Sequence, residues 1–189
     1  YFAWPGPEYF SADEAAINIA SRILTDGLSS RLNRALVYDR QLCTAVGSFP
    51  ITAEIASPFV IMVTARPDAS LSEIEQIVTD QIASLAKTGP TQAELDRART
   101  KQEFEFVSGL ERIGGFGGKA DLLNQYNIYL GDPGKFDADL ARYRKLTVGD
   151  VRGAVARWLD TRYLPIEFVD EGNISPAALK VLYRLKDSG

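Results

Sequence analysis

Between Leu110 and Lys119 the sequence reads LERIGGFGGK, with Gly114, Gly115, Gly117 and Gly118 flanking Phe116 and a lysine directly behind. Glycines ahead of a lysine cradle phosphate when the spacing is Gly, four residues, Gly-Lys and then a Ser or Thr for magnesium, set between a strand and a helix. Counting back from Gly118-Lys119, the first glycine position falls on Ile113 and the hydroxyl position on Ala120. The residues ahead, EFEFVSGLER, continue a helical stretch. The segment is not a phosphate-binding loop, and its glycines need another reason.

Histidine is the next group to look for, and there is none. The chain therefore cannot build a Ser-His or Cys-His pair or a histidine-ligated zinc site, and it lacks the commonest general base near neutral pH. One cysteine, Cys43, can form no internal disulfide, and its apolar neighbours mark it as a small buried hydrophobe. Asp and Glu alone favour hard cations. The candidates for that are Asp137 with Asp139, and Asp170 with Glu171, which read as helix-start or solvated carboxylates rather than a calcium site.

Of the 189 residues, 46% are hydrophobic and 24% charged, which describes a folded globular chain rather than a disordered one. The longest apolar run, FVIMV, is far shorter than the roughly 20 residues of a membrane-spanning helix. A net charge of −4 with scattered Lys and Arg gives no footprint for nucleic acid. The chain opens on YFAWPGPEYF with no basic lead-in, and Met62 is its one methionine. It is expected to be part of a longer polypeptide.

The elements that must position these residues follow from periodicity and caps. Tyr1 to Trp4 reads as a short strand, and Ser11-Ala-Asp-Glu14 as a capping box opening a helix with Ala16, Ile19, Ala20, Ile23 and Leu24 on one face. SRLNRALVYDR reads as a second short helix. Residues 43–51 and 58–66 read as adjacent antiparallel strands. Ser70 to Glu73 and Thr91 to Glu94 are capping boxes for two long helices, and KADLLNQYNIYL resumes helical spacing after the glycines. Thr147 to Asp150 opens a helix carrying Val151, Val155 and Leu159. YLPIEFV reads as a last strand and SPAALKVLYRL as a terminal helix or tail. This order predicts an α+β fold, a two-layer α/β unit with a mostly antiparallel sheet covered on one side by helices. A single domain is expected over 1–170, with 171–189 a tail or the start of an interdomain linker.

Three stretches resemble one family. ILTDGLSSRLNRALVYDRQL is similar to the Gly-x-Ser-Ser-Arg-Leu segment of non-catalytic domains of the insulinase/pitrilysin zinc metallopeptidases. GPTQAELDRART resembles the family's helix-opening Thr-x-x-Glu-Leu-x-x-Ala-Arg. LERIGGFGGKADLLNQYNIYLGDPGKFDADLARYRKLTVGDV resembles the second domain of long, four-domain bacterial members. The resemblance implies a fold repeated along the full protein, with halves closing around a peptide chamber and zinc held in another domain by His-x-x-Glu-His and a downstream Glu. It also implies, in a later partner domain, an Arg and a Tyr that grip substrate; here those positions are Val37 and Thr44. This chain matches neither pattern, so no catalytic and no metal residue is assigned to it.

The resemblance further implies other domains of the same polypeptide as partners, peptide as the parent's substrate, and a periplasmic address. The alternative is a structural module of a membrane-complex core subunit that kept the fold without peptidase work. Gly114, Gly115, Phe116, Gly117 and Gly118 keep two readings. They form a break between two helices, with positive φ and Phe116 as an apolar plug. Or they form a hinge or chamber-lining loop whose free N–H groups meet a peptide. Tyr126, Tyr129, Phe136 and Tyr143 read as packing aromatics.

Overall fold

The computed structural model describes residues 1–51 and 53–168. Its sheet has four strands in the order β2-β3-β1-β4, with every neighbouring pair antiparallel. Strand β1 is Phe2–Trp4, β2 Cys43–Pro50, β3 Phe59–Ala65 and β4 Leu164–Pro165. Phe2 lies opposite Ile61 and Trp4 opposite Phe59, and all four are buried on one face. On the other face Met62 is half-buried and Thr64 exposed. Helices therefore cover one side of the sheet, as the alternation of apolar and polar residues along β3 requires.

Helix α1 (Glu14–Thr25) presents Ile19, Ala20, Ile23 and Leu24 to that face, and α2 (Leu71–Thr88) adds Ile74, Val78, Ile82 and Leu85 at helical spacing. Helix α6 (Val148–Trp158) closes the layer with Val151, Ala154 and Val155. Each fully buried aliphatic of this kind stabilises the fold by about 1.5–3 kcal/mol. Three further helices, α3 (Gln92–Glu111), α4 (Lys119–Leu130) and α5 (Phe136–Lys145), extend away from the sheet.

The caps at Thr91 and Thr147 form complete boxes with Glu94 and Asp150, and Ser70 accepts from the Glu73 N–H. The expected box at Ser11 does not form. Helix α1 starts at Glu14 behind Asp13, with no side-chain cap. Glu14 is drawn to Arg142 instead of back to the Ser11 N–H, and Asp13 pairs with Arg157 and the Trp158 indole. The second short helix winds over Asn33–Asp39 as a π-helix, with the Arg40 N–H reaching five residues back to Ala35 O. Helix α5 is represented in the sequence reading only by its helix-start carboxylates Asp137 and Asp139, because its inward face carries Asp139 and Arg142 beside Leu140 and Tyr143. The last strand is shorter than YLPIEFV suggests, and the expected terminal helix lies outside the described residues.

Candidate functional site

The glycine segment is a loop, 112–118, between the end of α3 and the start of α4. Gly115 (φ +84°) and Gly117 (φ +71°) occupy the left-handed region, where a Cβ is strained. Gly118 is needed for space: a Cβ there would come within 2.5 Å of Gly114 O. A Cβ on Gly109 of α3 would meet Gly117 O at 2.8 Å, so the loop folds back against its own helix. Gly114 has open surroundings. The Gly117 N–H donates to Asp121 Oδ2 at 2.8 Å and the Gly118 N–H to Gly115 O at 3.1 Å, so these two amides are taken up inside the loop. The plug reading of Phe116 is corrected: its side chain is 98% exposed, and Ile113 is 83% exposed. The bend is held by backbone hydrogen bonds, such as Lys119 N–H to Arg112 O at 2.8 Å, and needs no apolar filler.

Two charge clusters lie elsewhere. Arg31 forks onto Glu94, with Nε to Oε1 and Nη2 to Oε2 both at 2.8 Å. This pair joins GLSSRL to TQAEL, so the two sequence stretches quoted above meet in space. Glu94 also closes the Thr91 capping box. Its hydrogen bonds from Arg31 hold its carboxyl down at about 2, against the opposing effect of burial.

The second cluster ties α5 to α1. Arg142 donates from Nη1 to Glu14 Oε2 at 2.8 Å and from Nη2 to Asp139 Oδ1 at 2.5 Å. Tyr126 Oη of α4 donates to Asp139 Oδ2 at 2.8 Å, and Asn18 bridges Glu14 to the Tyr143 hydroxyl. The guanidinium lies 5.0 Å from the Phe10 ring centroid. Burial pushes the Glu14 carboxyl up, and Arg142 pulls it back only in part. Tyr126 packs edge-on against Phe136 with centroids 5.1 Å apart, while Tyr129 stays part-exposed beside Tyr9, so the aromatics do pack as read.

These donors do not suit zinc. The buried carboxylates Glu14 and Asp139 are committed to Arg142, and Cys43 is enclosed in the core, where burial pushes its thiol up to about 11. Among the described residues no three His, Cys, Asp or Glu side chains converge as a metal site. Val37 is part-buried against the core, and Thr44 is exposed on β2 with its hydroxyl donating to Thr64 O at 3.2 Å. Asp137 is exposed in the first turn of α5, whereas Asp170 and Glu171 lie outside the described residues.

The segment running from α3 through the loop into α4 surrounds Phe116 with exposed apolar residues that sequence reasoning missed. Phe104 (69% exposed), Val107, Ile113, Phe116 and Ile128 (63% exposed) face solvent, while Gly109 and Tyr126 on the same helices are buried. Apolar residues on more than one face of a helix were the available signal.

The family model for the peptidase M16 inactive domain matches residues 1–102. The chain belongs to that family. Among curated relatives of this M16 inactive domain, the zinc protease PqqE of Helicobacter pylori is 29% identical over 123 residues, which are 65% of this chain and 28% of the relative. A solved Helicobacter pylori protease superposes with a TM-score of 0.74 at 23% identity, covering 84% of this chain and 38% of that one. The inactive peptidase domain of a protein assigned as a zinc protease from Bordetella parapertussis gives 0.74 at 23% identity, with 92% and 94% covered. The structural likenesses establish the α+β fold of the M16 inactive domain. The chain spans about a quarter to two-fifths of the Helicobacter proteins and nearly all of the Bordetella domain.

Proposed function

We propose that this M16 inactive domain serves a zinc metallopeptidase as a packing and wall-forming unit, while zinc and the water-activating carboxylate reside in another domain of the same polypeptide. The observation that carries this reading is the exposed apolar set Phe104, Val107, Ile113, Phe116 and Ile128 on the α3–loop–α4 segment. We read these five apolar side chains, exposed along one continuous segment of chain, as an interaction surface, and the length of the Helicobacter relatives leaves ample chain to meet it. The Arg31–Glu94 fork and the Arg142 cluster hold the helices that present this surface. The glycine loop 114–118 lies at its centre as a chamber-facing turn. A periplasmic address belongs to the same proposal.

The reading is tested in the full-length polypeptide with Phe104→Asp and Ile128→Asp combined. Peptide cleavage by the full-length protein should fall at least about tenfold, as expected when a buried contact receives an unpaired charge, while the isolated domain keeps its melting temperature. Undiminished cleavage would remove the surface from the function. The isolated chain should bind no zinc in calorimetry and cleave no peptide, and stoichiometric zinc with metal-dependent turnover would contradict its inactive role.

A further inference from the structure

Of the twelve residues of α4 only Tyr126 is buried, whereas α1, of equal length, buries ten. A twelve-residue helix is marginal by itself in water, so α4 depends on the contacts that anchor it. These reach α5 and the turn at residues 9–10. The Tyr126 ring packs on Phe136 and Phe10 with centroids 5.1 and 5.6 Å away, and its hydroxyl donates to Asp139 of α5. Tyr129 packs edge-on against Tyr9 at 5.2 Å, and the Tyr9 hydroxyl donates to Gln125 Oε1.

That turn is strained. Phe10 has φ +60°, in the left-handed region that an aromatic residue adopts only at a cost. It is flanked by the Tyr126 and Tyr129 rings of α4 and by Arg142 of α5, whose Nη1 donates to Ser11 O at 3.3 Å. The docked helix and the strained turn therefore hold each other in place. Left-handed glycines stand at both ends of α4. Gly115 and Gly117 precede it, and Gly131 (φ +69°), in open surroundings, follows it. The upstream pair is joined to the turn by side chains. Gln125 Nε2 donates to Asp121 Oδ2 at 3.0 Å, the oxygen that also accepts from the Gly117 N–H. Tyr9, Gln125, Asp121 and the glycine loop thus form one hydrogen-bonded chain, and breaking it at Tyr9 loosens helix and loop together.

We propose that α4 is a hinged strap, latched by the Tyr9 hydroxyl. It swings as a unit on the glycines at its ends while the sheet, α1, α2 and α6 stay folded. Opening relieves Phe10 and bares the Tyr9, Phe10 and Phe136 rings. It also moves Ile128 relative to Phe104 and Ile113, so the surface assigned above to a neighbouring domain is complete only with the strap closed. That consequence rests on the proposed function, whereas the motion itself does not.

Amide exchange in this chain alone, followed by mass spectrometry, tests the motion apart from any neighbour. In urea low enough to keep the chain folded, exchange in α4 should stay flat while exchange in α1 and α2 speeds up. Ile23→Ala weakens a core that the latched and open forms both retain. It should speed exchange in α1 and α2 by about thirtyfold or more and leave α4 unchanged. Tyr9→Phe removes the latch bond and should speed α4 and Gly117 by roughly threefold to tenfold. If α4 accelerates in step with α1, in urea or in Ile23→Ala, the helix opens only when the whole chain unfolds and the proposal fails. Unchanged α4 exchange in Tyr9→Phe would overturn the latch.

Discussion

Ile19, Leu24, Val78 and Val151 are 0% exposed between the sheet and its helices, whereas Phe104 is 69%, Ile113 83% and Phe116 98% exposed along α3 and the loop that follows. The sheet-covering layer completes its burial within the described residues. The α3–loop–α4 segment does not, although its backbone is as regular and its loop is closed by its own hydrogen bonds. The difference separates the residues that fold the domain from apolar residues left on its surface, which the proposed role assigns to a neighbour. Between the two regions sits the Glu14–Arg142–Asp139 cluster, the polar joint that fixes α5, and through Tyr126 α4, onto α1.

Cutting that joint should have the largest effect. Arg142→Ala leaves two buried carboxylates without their cation and should cost about 3–5 kcal/mol in chemical denaturation. A loss under about 1 kcal/mol would mean that the α4–α5 arm is attached by other contacts. The contrast between the regions is sharpened next by paired truncations. Ile23→Ala, in a site 2% exposed, should cost about 2–5 kcal/mol, and Phe104→Ala no more than about 0.5 kcal/mol in the isolated domain. Similar costs at both positions would break the comparison.

The glycine loop predicts an ordered series. Gly115→Ala and Gly117→Ala should each cost about 1–2 kcal/mol through left-handed strain. Gly118→Ala should cost a comparable amount, about 1–3 kcal/mol, by driving a methyl against Gly114 O. Gly114→Ala should be neutral or stabilise slightly, since its surroundings are open. Stabilisation at all four would mean a continuous helix and refute the turn.

Arg31–Glu94 gives a smaller and pH-dependent effect. Because the Glu94 carboxyl is held at about 2, below its ordinary 4.5, the pair's contribution is complete above 4.5 and is lost as pH falls toward 2. Glu94→Gln should lower stability by about 1–2 kcal/mol at pH 7 and less at pH 3, since the pair is part-exposed. A cost that does not shrink on acidification would assign the effect to the Thr91 cap rather than the charge.

Much of this was legible in the sequence because local signals and tertiary packing agreed there. Ser70, Thr91 and Thr147 cap the helices their spacing announced, Cys43 is a core hydrophobe, and the apolar stripes of α1, α2 and α6 are the core. Two of the failures share one cause, a long-range polar contact overriding a local pattern. Glu14 abandons the Ser11 box for a residue 128 positions away. Helix α5 hides behind its buried Asp139 and half-buried Arg142, which break the hydrophobic period. Phe116 looked like a plug because an aromatic among glycines suggests burial, yet backbone bonds alone close the bend. For Phe104 and Ile128 the signal was apolar residues on more than one face of a helix, which shows that some must be exposed but not which face is buried.

The central claim is that the α3–loop–α4 surface is covered by another domain, and hydroxyl-radical footprinting tests it most directly. Side-chain oxidation of Phe104, Val107, Ile113, Phe116 and Ile128 is measured by mass spectrometry in the isolated domain and in the full-length polypeptide, with Tyr38 (49% exposed, on the π-helical segment) as the reference. The five should be oxidised readily in the isolated domain and several-fold less in the full-length protein, while Tyr38 changes little. Equal oxidation of the five in both forms would show that the surface stays open and would contradict the packing role.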